Sequence, residues 1–233
     1  MRFRAALIGS LAVIMLLLPA TAFAATAQPS CSRPESNAKA LELLSTYYQG
    51  YWWDHTDLTI AVKAKPGSDA AQIEAIHDAI DAWSQVLVEC FDGLITLTDI
   101  TGTGNNPQQT ADIVVHYVPH FGGVTWSGLA LCGREQCNNV LVSSDYPPSL
   151  GLPPYSAQMV EWTAMHEIGH ALGLGHATNL NRSTDLMGYG WPDRGDPVLS
   201  DCDIDALAVV FEWALEGTAP HPPAPGPYDC SLD

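Results

Sequence analysis

The segment His166-Glu167-Ile168-Gly169-His170-Ala171-Leu172-Gly173-Leu174-Gly175-His176 constrains this chain more than any other. Residues four apart on a helix share a face, one turn above the other. His166 and His170 can therefore bring two imidazoles to one point. Glu167 lies about 100° around the helix from His166, near enough to reach a water at that point but not placed as a ligand. Gly173 permits the left-handed turn that ends a helix, and the chain can then swing back to offer His176. Three histidines leave a fourth position open, which is the arrangement of a catalytic zinc site and not of a structural one. Ala171, Leu172 and Leu174 are apolar, so the helix is expected to be buried. Two surface histidines and a solvated glutamate on an ordinary helix would leave Gly173 and His176 unexplained.

The first 24 residues read as a signal peptide. Arg2 and Arg4 precede an apolar run from Ala5 to Leu18, then Pro19 and the small-x-small site Ala22-Phe23-Ala24. That run is too short for a comfortable membrane span, and no later stretch is longer, so a secreted, extracellular chain is expected, with no membrane segment after cleavage. The remaining 209 residues suffice for one sizeable domain. They carry seven basic residues against 26 acidic ones. This balance argues against nucleic acid and anionic membranes as partners. Calcium is a possible ligand on charge alone, but no EF-hand loop supports it. A monomer is expected.

All six cysteines, at 31, 90, 132, 137, 202 and 230, follow the leader. An even number in an oxidising compartment favours disulfides, although six cysteines allow about 15 pairings. Cys132 and Cys137 can close a small loop. Cys90 with Cys202 could tie the two halves together, and Cys31 with Cys230 could clip the termini. No C-x-x-C pair suggests a zinc–thiolate cluster.

Residues 25–40 are polar and proline-containing, a loose arm, and the aromatic stretch from Leu41 to Trp53 can pack on the core. Alternation predicts strands over 58–64, 94–99, 112–118, 124–131 and 140–143. Ser68 or Asp69 can cap a helix in which Ile73, Ile76, His77, Ile80, Trp83, Val86 and Leu87 recur at helical spacing. His77 falls on that apolar face and reads as a satisfied core histidine. A loop occupies 102–107, and a proline-rich loop over 147–154 leads into the histidine helix, about 157–174. Ser200 and Asp203 resemble a capping box before a last helix. His116 and His120 sit on either side of Pro119, about 13 Å apart if the strand continues, too far for one ion.

Met187 follows His176 by eleven residues, within Ser183-Thr184-Asp185-Leu186-Met187-Gly188-Tyr189-Gly190. This stretch resembles the Met-turn beneath the zinc of metzincin metalloproteases. Together with the histidine motif and the order of elements, it makes residues 56–216 similar to a metzincin catalytic domain, closest to the matrixin branch. Ala111-Asp112-Ile113-Val114-Val115 resembles the matrixin strand before the substrate-binding edge strand. Leu199-Ser200-Asp201-Cys202-Asp203-Ile204-Asp205 resembles the start of the matrixin terminal helix. Ala177 stands where matrixins typically carry a serine.

The resemblance implies an α+β, metzincin-like zincin fold. Its parts would be a twisted, mostly parallel five-stranded sheet with an antiparallel edge strand, two long helices and a C-terminal helix. Residues 25–55 would be an N-terminal arm and 217–233 a proline-rich tail. His166, His170 and His176 would hold Zn2+, with Met187 as the apolar floor below them. Tyr189, two residues after the methionine as in astacins and serralysins, would be a second contact for the oxyanion or else a packing tyrosine. Pro29-Ser30-Cys31-Ser32-Arg33-Pro34-Glu35 faintly resembles the latency switch of matrixins. Cys31 reads first as half of a disulfide.

The expected activity is hydrolysis of peptide bonds in a protein or peptide substrate. Water held by zinc would be deprotonated by Glu167, which then protonates the leaving amine. The substrate would lie extended along the strand near 124–131, with a specificity pocket walled in part by 188–195. Two other readings remain: a zinc-bound secreted binding or adhesion module, whose usual mark is loss of the glutamate, and a zinc amidase acting on cell-wall or glycopeptide bonds.

Overall fold

The computed structural model describes residues 51–104, 106–121, 127–133, 135–176, 186–188, 197 and 199–223, with only the main chain of Asp201 and Cys202. The expected signal peptide, most of the expected N-terminal arm with Cys31, the stretch 189–195 with Tyr189, and Cys230 lie outside the described residues.

Five strands form one sheet: β1 (Asp57–Lys63), β2 (Thr96–Asp99), β3 (Ile113–Val118), β4 (Gly128–Leu131) and β5 (Asn139–Ser143). Their order is β2-β1-β3-β5-β4. β1 pairs in parallel with β2 and β3, and β3 with β5. β4 runs antiparallel to β5 at the edge. The chain is thus α+β with a mostly parallel sheet and an antiparallel edge strand. Parallel neighbours need a long crossover, and α1 (Ala70–Cys90) supplies the one from β1 to β2. The inner strands are rich in β-branched and aliphatic residues because they are covered. Leu58, Ile60, Ile113, Val115, Val140 and Val142 are all buried.

α1 starts at Asp69, whose carboxylate accepts the main-chain N–H groups of Ala71 and Gln72 at 2.9 and 3.0 Å. Its buried stripe runs through Ala75, Ile76, Ala79, Ile80, Trp83, Leu87 and Cys90. α3 (Ala157–Ala171) is capped by Ser156 Oγ, which accepts from Met159 N at 3.1 Å. α1 and α3 pack against each other, α1 also on β1 and β2, and α3 on β4 and β5. α4 (Asp201–Val210) begins with the expected capping box, Ser200 and Asp203 each bonding the other's main-chain N–H. No helix among the described residues is long and apolar enough to cross a membrane.

Most strand ends shift by a residue or two from expectation, β4 begins at Gly128 and not at 124, and four further differences have a local cause or position. One helical turn, α2 (Pro107–Thr110), follows the 102–107 loop, with proline at a first-turn position where its missing N–H costs nothing. β2 begins two residues later than alternation suggests. The last helix breaks at Phe211 (φ −105°, ψ 20°), and α5 (Glu212–Leu215) continues after it. The histidine helix stops at Ala171 and not near 174, because Gly173 takes φ +113°.

Cys132 and Cys137 form the expected disulfide. Cys90 is disulfide-bonded too, and the expected pairings of Cys90 with Cys202 and of Cys31 with Cys230 involve side chains outside the described set.

His77 is half-buried, not a core residue, and meets Asp99 of β2 at 2.6 Å. The hydrogen bond it donates to Asp99 holds its pKa above 6.5 although burial opposes this. Burial pushes Asp99 up, but hydrogen bonds from His77 and Thr101 outweigh it and hold the carboxyl below 3.8. The raised imidazole stabilises the fold below the unfolded histidine pKa of about 6.5 and loses that contribution as pH rises through its folded pKa. The lowered carboxyl contributes above about pH 4 and loses its contribution as pH falls further. His77→Gln keeps a neutral hydrogen bond, so it is expected to cost about 1 kcal/mol more at about pH 5.5 than at about pH 8.5 in urea denaturation. Equal costs at the two pH values would dismiss the charged pair.

Candidate metal centre

α3 carries His166, Glu167 and His170 into the interior, where their exposures are 7%, 7% and 1%. The two imidazoles stand one turn apart with ring centroids 4.7 Å apart and planes at 86°. After Ala171 the chain turns at Gly173, whose N–H reaches His170 O at 3.0 Å, while Leu174 N–H reaches Gly169 O at 3.0 Å. A side chain at 173 would also collide with Val210 and with the carbonyl of Tyr51, at 2.9 and 3.0 Å. This turn returns His176 to the helix. Its Nε2 lies 3.2 Å from His166 Nε2 and 3.1 Å from His170 Nε2.

The outer nitrogens explain which atoms face inward. His166 Nδ1 is 2.6 Å from Leu186 O, and His170 Nδ1 is 2.8 Å from Leu174 O. A carbonyl only accepts, so each Nδ1 carries the proton and each Nε2 presents a lone pair. Burial pushes His166 down to about 4 and His176 down to about 3, and holds His170 well below 6.5. All three imidazoles are therefore neutral near pH 7, the form that ligates a metal. Three neutral imidazoles brought this close could hold a metal ion between them. Tetrahedral bonds of 2.0–2.1 Å to zinc set ligand nitrogens about 3.3–3.4 Å apart, close to the two separations found. Among the described residues, these three histidines are the group able to hold a metal ion.

Glu167 is not one of them. Burial pushes its carboxyl up to about 8, partly offset by a hydrogen bond from the main-chain N–H of Ala130 on β4. A nearby cation would favour the charged form. The carboxyl thus sits on the same helix as His166 and His170, largely shielded from solvent.

Met187 is fully buried. It packs against Gly169, where an added Cβ would come within 2.6 Å of its sulfur and 3.3 Å of the Trp83 ring. Leu186, its neighbour, supplies the carbonyl that holds His166. Tyr189 and the expected pocket wall at 189–195 lie outside the described residues. His116 bonds Asn139 Oδ1 at 2.9 Å, and neither His116 nor His120 joins the cluster.

Sequence reasoning missed the residues that hold the helix in place. Trp53 Nε1 donates to Ala171 O at 2.9 Å, and Trp83 Nε1 donates to Met165 O at 2.8 Å. Two indoles thereby grip the main chain on either side of His166 and His170. The aromatic stretch before Trp53 and the apolar stripe of α1 were the available signals, but neither indicates a partner.

No family model matches the chain, and no curated protein matches it. Among solved structures, a chain from a structure of a chaperone–substrate complex is similar at 18% identity and a TM-score of 0.40, over 74% of this chain and 36% of that one. This chain therefore spans little more than a third of that neighbour. The GM1-bound form of the ECX AB5 holotoxin is similar at 14% identity and a TM-score of 0.37, over 70% of this chain and 78% of that one. At these scores neither likeness carries an inference about fold or activity.

Proposed function

We propose that this chain is a secreted zinc endopeptidase with a metzincin, matrixin-like catalytic domain. The observation that carries the reading is the convergence of three neutral imidazoles, two Nε2 separations being 3.1 and 3.2 Å, beside a buried carboxylate that is not a ligand. Buried Met187 under the helix and the antiparallel edge strand beside it support the same reading. The leader sequence and the disulfides support secretion.

In this reading His166, His170 and His176 hold the zinc, and carbonyls of Leu186 and Leu174 fix two of the rings. A bound zinc supplies Lewis acidity that acidifies water and polarises a carbonyl. Glu167 removes a proton from the attacking water and delivers it to the leaving amine. Burial raises the proton affinity of this carboxyl, and a bound zinc would favour its charged form. The outer edge of β4 offers main-chain groups to an extended peptide. Tyr189 is retained as a candidate second contact for the oxyanion.

The test is hydrolysis of casein by the purified mature chain, with and without a chelator. Cleavage is expected, with loss to background on chelation and recovery on adding about one equivalent of zinc. A metal-loaded protein that cleaves no protein substrate would instead favour a binding module. Turnover restricted to cell-wall or glycopeptide amides would make it an amidase.

A further inference from the structure

In an antiparallel pair, residues alternate between those bonded to the partner strand and those whose N–H and C=O point away. Ser143 N–H bonds Ser127 O at 2.8 Å, and Leu129 faces Leu141 two residues on. Gly128 and Ala130 therefore direct their main-chain groups to the open edge, and both residues face α3 on the same side of the strand. The main chain of Ala130 lies close enough to the Glu167 carboxyl to hold its pKa down against burial. Thr163 lies one turn before Glu167 on the same helix face. Its hydroxyl bonds Met159 O at 2.8 Å, and its methyl carbon is on the β4 side. A Cβ at position 128 would lie 2.5 Å from both Cγ and Oε1 of Glu167, and 2.7 Å from Thr163 Cγ2.

We infer that Gly128 is a positioning residue for the catalytic base: β4 seats the Glu167 carboxylate, and the seat exists only because position 128 has no side chain. The inference rests on the proposed peptidase reading for its catalytic consequence. The atoms in the way belong to side chains and not to main chain, so the strand can stay in register while the carboxylate is displaced. Sub-ångström placement of a proton acceptor governs rate more than substrate binding. The edge strand thus has two duties, presenting main-chain groups to substrate and setting the position of the base.

The test starts with Gly128→Ala in the full mature chain. Zinc stoichiometry is expected to stay as in wild type, kcat to fall about 10- to 100-fold and KM to change by less than about threefold. Adding Thr163→Ser deletes one colliding methyl and is expected to restore part of kcat. A second measurement needs no activity: the metal-free proteins are unfolded in urea in a four-member cycle of Gly128→Ala and Glu167→Ala. Gly128→Ala is expected to lower the midpoint in the wild-type background and to lower it much less once the Glu167 side chain is removed. Gly128→Ala that folds only when Glu167 is also replaced would support the seat as well. Unchanged kcat, an equal midpoint loss in both backgrounds, or failure to fold in both, would overturn the inference. If wild type cleaves nothing, the peptidase reading fails, while the urea cycle still decides whether Gly128 and Glu167 are coupled.

Discussion

Glu167→Gln is expected to lower kcat on casein by about 10³- to 10⁴-fold while leaving the zinc content unchanged. Glutamine preserves the shape of the side chain and an oxygen for the Ala130 N–H, but it cannot accept a proton from water. Metal binding should survive because the three Nε2 atoms, and no carboxylate, form the cluster. Stability should also survive in the metal-free protein. A carboxyl that burial pushes up to about 8 is costly to keep charged at higher pH, and a neutral amide removes that cost. The prediction combines three readings on one variant: turnover, zinc by metal analysis, and the urea midpoint. Retained turnover would remove Glu167 from the mechanism. Lost zinc would mean that the carboxylate helps hold the ion.

His170→Ala is expected to abolish zinc binding and activity together. His170 is the most buried of the three histidines, at 1% exposure, and its Nε2 is 3.1 Å from that of His176. Its removal also leaves Leu174 O without the imidazole proton, a loss of about 1–3 kcal/mol in the metal-free protein. The larger effect appears on adding metal. A ligand that binds only the folded state stabilises it by about 4 kcal/mol at a free concentration 1,000 times its dissociation constant. Wild type should therefore gain strongly in urea midpoint on adding zinc, and His170→Ala should gain almost nothing. Equal zinc-induced gains in the two proteins would place the metal elsewhere.

The parts of the site that could be read from the chain are those confined to a short window. His166, His170 and His176 lie within eleven residues, so helix period and one glycine suffice to bring them together. The Asp69 and Ser200 caps were legible for the same reason, since each side chain bonds main chain two or three residues away. The strands were legible from alternation. Their order was not, because pairing of β1 with both β2 and β3 is decided by which faces α1 and α3 cover together. Helix ends were misjudged where a backbone torsion intervened, as at Gly173 and Phe211.

What the sequence determined by itself is the convergence of three histidines, the carboxyl next to the first of them and the turn that admits the third. These follow from 3.6 residues per turn and from the freedom of glycine, both local properties. Only the tertiary structure decided which nitrogen of the His166 ring faces inward and where the carboxyl of Glu167 rests. Leu186 O lies 20 residues from His166, Trp53 bonds the helix across 118 residues, and the seat for Glu167 comes from β4. Each contact is set by the packing of apolar faces that bring distant segments together, and no local window of sequence contains that competition.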